Sequence, residues 1–324
     1  MPKPFFLTVS KPYFHKYKAK CFVLLCAILF ATPSVSGQAS DEDPAVCQKF
    51  QPPESKSGQL VDWLLRNGYE MKEQGCWQTY IQLGPQGMQE AAMHSRFQDR
   101  VRIALAVASI YFYQGDYDQS RKVAEEASNY AQEHEEWDGY IASLAHLSGV
   151  ARAQGRDEAA LGYTKKGMGV IEKHPPVDPY LKAKTLYNLG AFLSDSNKPD
   201  LGRARIALVR SLALYHHLKN HYEIVRTHLR LARIDYLEGH YDSALIVIES
   251  VKKLEALAGA ESPRTRMLTH YMAAKVHHRL ENWDTARAEV LKSLALSDRM
   301  NAREDGKRAR ALLAAIDNKT FVND

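Results

Sequence analysis

The chain lacks the marks of the common catalytic folds. Its 324 residues hold no G-x-S-x-G, no G-x-x-x-x-G-K-[ST] and no H-E-x-x-H, so no nucleophile elbow, phosphate loop or zinc-protease helix is encoded. Strand-like alternation of useful length is missing too, which leaves an all-α class. Cysteine is scarce: Cys21, Cys26, Cys47 and Cys76 make no Cys-x-x-Cys, and thiol redox catalysis is not expected. No apolar run reaches the roughly 20 residues of a membrane helix. His217 and His221 stand four apart and can share a helix face. No carboxylate or thiol beside them completes the three or four ligands that zinc requires, so no metal and no cofactor is expected.

Acids are absent from the first 37 residues, which carry Lys3, Lys11, Lys16, Lys18 and Lys20. An apolar run from Cys21 to Ala31 follows, then Pro33 and Ser34-Val35-Ser36-Gly37. This is the layout of a cleaved secretory signal, residues 1–37; an uncleaved anchor is the alternative. The five lysines account for the whole excess of Lys+Arg (43) over Asp+Glu (38). Without them the chain is formally neutral, which removes a global electrostatic case for nucleic acid. The expected location is periplasmic or secreted, with no stable membrane span once the signal is removed. Cys47 and Cys76 remain after cleavage, and an oxidising compartment favours their pairing as a disulfide over two free thiols.

What the chain has in abundance is repetition. Five polar turns recur: Gly115-Asp116-Tyr117-Asp118-Gln119-Ser120, Gly155-Arg156-Asp157-Glu158-Ala159-Ala160, Lys198-Pro199-Asp200-Leu201-Gly202-Arg203-Ala204, Gly239-His240-Tyr241-Asp242-Ser243-Ala244 and Glu281-Asn282-Trp283-Asp284-Thr285-Ala286. Their last small residues lie 40, 44, 40 and 42 positions apart. A period of this size predicts a stacked array of hairpins. Small residues precede each turn (Ala108, Ser148, Gly190, Ala232 and Ala274), as required where two helices cross closely.

These turns and small residues resemble tetratricopeptide repeats. The family's usual period is about 34 residues, so these hairpins carry extra helical turns. The expected fold is an α-solenoid of about five such hairpins, period about 40, with N- and C-terminal capping helices. Its expected divisions are a linker at 38–57, a helical cap or degenerate first hairpin at 58–98, the array at 99–297, and a capping helix and tail at 298–324. Gly84-Pro85-Gln86-Gly87 is expected to break the second helix of the cap.

The resemblance implies a concave groove lined by the first helix of each hairpin. Its mapped residues are Arg102, Tyr113, Arg152, Lys184, Tyr187, Asn188, Arg226, Arg230, Arg233, Tyr236, Tyr271, Lys275 and Arg279. Arg226, Arg230 and Arg233, spaced four and three, form one ridge. Asn188, Arg226 and Arg230 occupy places that resemble the family's carboxylate clamp, although Ala145 and Gly149 stand where its other polar residues belong. Arg forks grip carboxylates bidentately. The alternative is that this charge is solvated or paired internally, as Glu223 with Arg226.

The resemblance implies a non-enzymatic scaffold whose groove takes an acidic or extended segment of an envelope or secreted protein. The lengthened repeats are also similar to extracytoplasmic repeat regions of bacterial signalling proteins, diguanylate cyclases and histidine kinases. That makes a sensing subunit, acting through a separate membrane protein, the second expectation. The oligomeric state is not legible.

Overall fold

The structure is a computed structural model that describes residues 43–53, 59–257 and 262–321. The expected signal, residues 1–37, lies outside the described residues. Thirteen α-helices occur among those described. They pair as hairpins: α1 (Gln59–Gln74) with α2 (Trp77–Met93), α3 (Phe97–Gln114) with α4 (Tyr117–Glu133), and α5 (Trp137–Ala153) with α6 (Asp157–Lys173). Then come α7 (Pro179–Asp195) with α8 (Leu201–His217), α9 (His221–Leu237) with α10 (Tyr241–Leu257), and α11 (Pro263–Arg279) with α12 (Trp283–Arg299). The single helix α13 (Arg303–Asp317) follows. No described helix is long and apolar enough to cross a membrane.

Helices α4 to α12 each have 17 residues, about 25 Å at 1.5 Å per residue. Two such helices and two short turns make the period of about 40. The turns end helices by the same chemistry each time. Gly115 takes φ 83° past the end of α3, a left-handed conformation that glycine adopts without steric cost. Asp116 then caps α4 by accepting from the backbone N–H of Gln119. Asp200 and Asn220 cap α8 and α9 in the same way.

The small residues sit where the hairpin helices cross. The Ser120 hydroxyl donates to Ala108 O at 2.8 Å, and Ser148 donates to Ala160 O at 3.0 Å. A Cβ on Gly190 would come within 2.6 Å of Leu208 and 3.0 Å of Ala204 O. Behind these crossings the core is a series of clusters rather than one centre, as a linear array requires.

One expectation fails. Gly84-Pro85-Gln86-Gly87 does not break a helix: α2 runs unbroken from Trp77 to Met93 with Pro85 inside it. The glycines serve packing instead. A Cβ on Gly84 would meet Val107 of α3 at 2.5 Å, and one on Gly87 would meet Leu64 of α1 at 2.2 Å. Close approach on two sides offsets the one backbone hydrogen bond that proline removes. The region therefore forms a complete first hairpin.

The array also returns on itself. Helix α1 packs against α11, and α3 against α13. One core cluster joins Phe50, Leu64, Met71 and Trp77 to Met267, Met300 and Ala302. Across this seam the Ser262 hydroxyl donates to the buried Glu73 carboxylate. Tyr69 meets Tyr222 edge-on, centroids 5.8 Å apart. A disulfide joins Cys47 of the short 3-10 turn Ala45–Lys49 to Cys76, just before α2. Asp43 accepts from the N–H groups of Gln78 and Thr79 at 2.8 Å each, which holds the entry segment onto the start of α2.

Candidate functional site: a cationic chamber on the concave face

Closure turns the expected groove into a chamber of about 450 Å³. Its residues come from α3, α5, α7, α9, α11, α12 and α13, with Tyr117 at the start of α4. Arg152 ends α5, Arg226, Arg230 and Arg233 line up along α9, Arg264 and Lys275 come from α11, and Arg308 from α13. Against these seven cations stand three carboxylates: Asp195 at the end of α7, and Glu304 and Asp305 near the start of α13. Leu229, Met267, Leu268 and Met272 with five aromatic rings complete the wall.

Asp195 is the hub. Its carboxylate accepts from Arg152 Nη1 at 2.5 Å, from Arg230 Nη1 at 2.8 and 3.0 Å, and from Arg233 Nε at 3.0 Å. Burial alone would raise its pKa, but Arg230, Arg152 and Arg233 outweigh that and hold it well below the usual carboxylate range. Arg226 is held separately, by Glu223 at 2.8 Å, with its guanidinium 5.0 Å above the Tyr187 ring. Arg264 bonds to Asp305 at 2.9 Å and lies 3.8 Å above the Tyr113 ring.

The titration of the site divides: Glu223, Asp195 and Asp305 raise Arg226, Arg230 and Arg264 against the effect of burial, whereas three neighbouring groups fall, burial being the first cause in each. Burial lowers the Arg152 pKa and Arg230 lowers it further, against the pull of Asp195. Lys184 falls to about 8, through burial first and then Lys72 and Arg226, although Glu223 opposes this. His146, its ring 2.9 Å from the Ser120 hydroxyl, falls to about 3 through burial with help from Lys184 and Lys72.

Of the thirteen residues mapped to the groove, eight line the chamber: Tyr113, Arg152, Tyr187, Arg226, Arg230, Arg233, Tyr271 and Lys275. The other five lie elsewhere. Arg102 is exposed beside Asp99. Lys184 sits 5.9 Å from the Tyr180 ring. Asn188 donates its amide to Ala145 O at 2.6 Å, which takes it out of any carboxylate clamp. Tyr236 is buried and accepts from Arg279 Nε at 2.9 Å. Sequence mapping missed Asp195, Arg264, Asp305 and Arg308. Asp195 carried a signal, standing 43 residues after Arg152, about one repeat. The others enter only because the array closes.

Asp235, Glu238 and His240 place ligand atoms within 4.8 Å of one another. Arg205 already bridges the two carboxylates, at 2.7 and 2.6 Å, and so supplies the positive charge that a metal ion would bring.

The fold and the concave chamber define an α-solenoid of helical hairpins. Residues 99–173, which span α3 to α6, match the tetratricopeptide repeat family. A Rap protein complexed with Competence and Sporulation Factor shares the fold at 14% identity and TM-score 0.57, over 82% of this chain and 77% of that one. A Signal Transduction ATPase with Numerous Domains (STAND) protein with a tetratricopeptide repeat sensor, from Pyrococcus horikoshii, aligns at 14% identity and TM-score 0.54. That match covers 80% of this chain but only 40% of the Pyrococcus protein. Aspartyl phosphate phosphatase F from Bacillus subtilis gives 13% identity and TM-score 0.50, over 82% of this chain and 73% of its own. At such identities the likeness is one of fold. No curated protein sequence matches the chain.

Proposed function

We propose that the protein is a non-enzymatic interaction module, exported to the periplasm or beyond, whose chamber receives an acidic segment of a protein partner. The observation that carries this is the cationic surplus on the concave face of a tetratricopeptide-type array, seven cations against three lining carboxylates and Glu223, which pairs with Arg226. Arginine forks supply orientation, and Tyr187, Tyr271 and Met272 supply contact area. The chamber volume admits a chain end or a short loop rather than a folded domain. Export rests on the lysine-rich, apolar layout of residues 1–37.

The test is crosslinking in the native compartment, wild type against Arg233→Gln/Arg308→Gln. Charge reversal along α9 is unsuitable, because it would set new acids beside Asp195 and Glu223. A discrete protein captured by wild type and lost in the variant supports the reading. Capture unchanged in the variant moves the interface off the chamber, and no capture at all sinks the module.

A second reading is favoured by chamber size. A volume of about 450 Å³ falls within the roughly 300–1,000 Å³ typical of small-ligand sites. The protein would then be a sensing subunit acting through a separate membrane signalling protein of the diguanylate cyclase or histidine kinase type. Loss of a signalling response in cells lacking the protein, together with a ligand-induced rise in melting temperature, is what this reading requires.

A further inference from the structure

The charge balance around Asp195 points to a specific class of ligand, on the reading that the chamber is the recognition site. Three guanidiniums, Arg152, Arg230 and Arg233, converge on that single carboxylate. Locally this leaves two positive charges without a counter-charge, in a place where side chains are 16–30% exposed. Uncompensated charge away from water is costly, and a dianion would balance it.

Donors remain to hold such a dianion. Each guanidinium carries five N–H groups. Arg152 engages through Nη1, Arg233 through Nε, and Arg230 through Nε and Nη1. The Nη2 groups of all three make no hydrogen bond among the described residues. Nor are they among the buried polar atoms left without a partner, so they keep accessible surface, on side chains that line the chamber. Leu229, beside Arg230 on α9, and Met272 and Tyr271 of α11 line the same cavity and supply it with apolar surface.

We infer that the chamber binds a small dianion, a phosphomonoester or dicarboxylate, with its headgroup among Arg152, Arg230 and Arg233 and an apolar body against Leu229, Met272 and Tyr271. Asp195 stays in place and keeps the three forks pointed at the headgroup between ligands. The body of the ligand supplies selectivity, because inorganic phosphate satisfies the arginines but leaves the apolar face wet.

Isothermal titration calorimetry on the folded protein tests this with four probes: phenyl phosphate, inorganic phosphate, succinate and the neutral benzyl alcohol. Phenyl phosphate should bind saturably, at one site, and at least about tenfold tighter than inorganic phosphate, the apolar ring being worth more than a kcal/mol on burial. Saturable binding of succinate would assign the natural ligand to the dicarboxylates, and its absence to the phosphomonoesters. Arg233→Gln should weaken phenyl phosphate about tenfold or more, in line with loss of a charge-assisted hydrogen bond. Arg233→Lys should recover part of that loss, and Arg308→Gln, outside the triad, should cost less than Arg233→Gln. Circular dichroism establishes that each variant is folded.

No saturable binding of phenyl phosphate or succinate at millimolar concentration overturns the inference, as does binding unchanged in Arg233→Gln. A triaspartate peptide that outcompetes phenyl phosphate overturns it in favour of a polypeptide segment. Dianion binding without protein capture would leave this inference standing while the partner-binding module falls; capture without dianion binding would do the reverse.

Discussion

Two kinds of joint hold this molecule together, and they differ in how far along the chain they reach. Between consecutive hairpins the joints recur at one repeat spacing. Arg152 bonds to Asp195, Tyr180 to Glu223, Asn188 to Ala145, Arg230 to Tyr187 and Arg279 to Tyr236, each 43 residues apart. At the seam, Glu73 and Ser262 meet across 189 residues. The repeat joints close short loops and can form one after another, whereas the seam exists only when every hairpin between has taken its place. Local joints set the curvature, and the seam turns that curvature into a chamber.

The most damaging change to the repeat joints is Asp195→Ala. It leaves three partly buried guanidiniums facing one another and should cost about 3–5 kcal/mol, measurable by urea denaturation. A loss below about 1 kcal/mol would mean that Asp195 is not the hub. Next comes the disulfide, which belongs to the seam side. It closes a span of 29 residues, and reducing it should remove about 3 kcal/mol. Small-angle scattering in reductant should show a larger radius of gyration if the seam opens with it.

Ser262→Ala takes the hydroxyl from Glu73, whose other oxygen already has no partner, and should cost about 1–3 kcal/mol. Hydrogen exchange separates the two joints here: amides of α1 and α11 should exchange faster, while α5 to α8 stay protected. Equal acceleration everywhere would erase the distinction between seam and repeat.

Acid should weaken the repeat joints. His146 is held neutral in the folded chain, its pKa lowered to about 3 from an unfolded value near 6.5. Between those limits the unfolded chain binds the extra proton, so stability falls as pH drops through the window, by at most about 1.4 kcal/mol per pH unit from this group. Glu289 adds the same sign lower down. Burial would raise its pKa, but bonds from His270 and Lys292 hold it at about 2. Denaturation at pH 7 and pH 4 checks the sign, and His146→Gln should flatten the upper part of the curve. The smallest effect is a gain. Glu281 holds φ 58° where other turns place glycine, and Glu281→Gly should stabilise by about 1 kcal/mol, seen as a melting shift of a few degrees.

The repeat joints were legible in the sequence because their residues recur. Turn positions, the small residues at the crossings and the arginine ridge of α9 all follow from a period of about 40. Glu223 was readable on other grounds, standing three residues before Arg226 on the same helix. Asp195 was within reach, one repeat after Arg152, but a lone acid at the end of a helix carries no motif of its own. Gly84-Pro85-Gln86-Gly87 misled because proline and glycine report local preference, while the site is decided by how closely α1 and α3 approach. The seam was not legible at all. Nothing periodic links Glu73 to Ser262 or Tyr113 to Arg264, and closure depends on the summed curvature of six hairpins. Arg102 was mapped inward by family position and lies outside the chamber, exposed beside Asp99.

A closed array also loses a freedom that open ones keep. An open solenoid can gain or lose a hairpin and remain folded, since each unit needs only its neighbours. Here Gly75 lies against Met300, and Gly115 against Glu304. Adding or deleting one hairpin would carry those pairs past each other by a whole repeat. The number of repeats is therefore fixed by fit, and change in this protein must come by substitution inside the ring rather than by duplication along it.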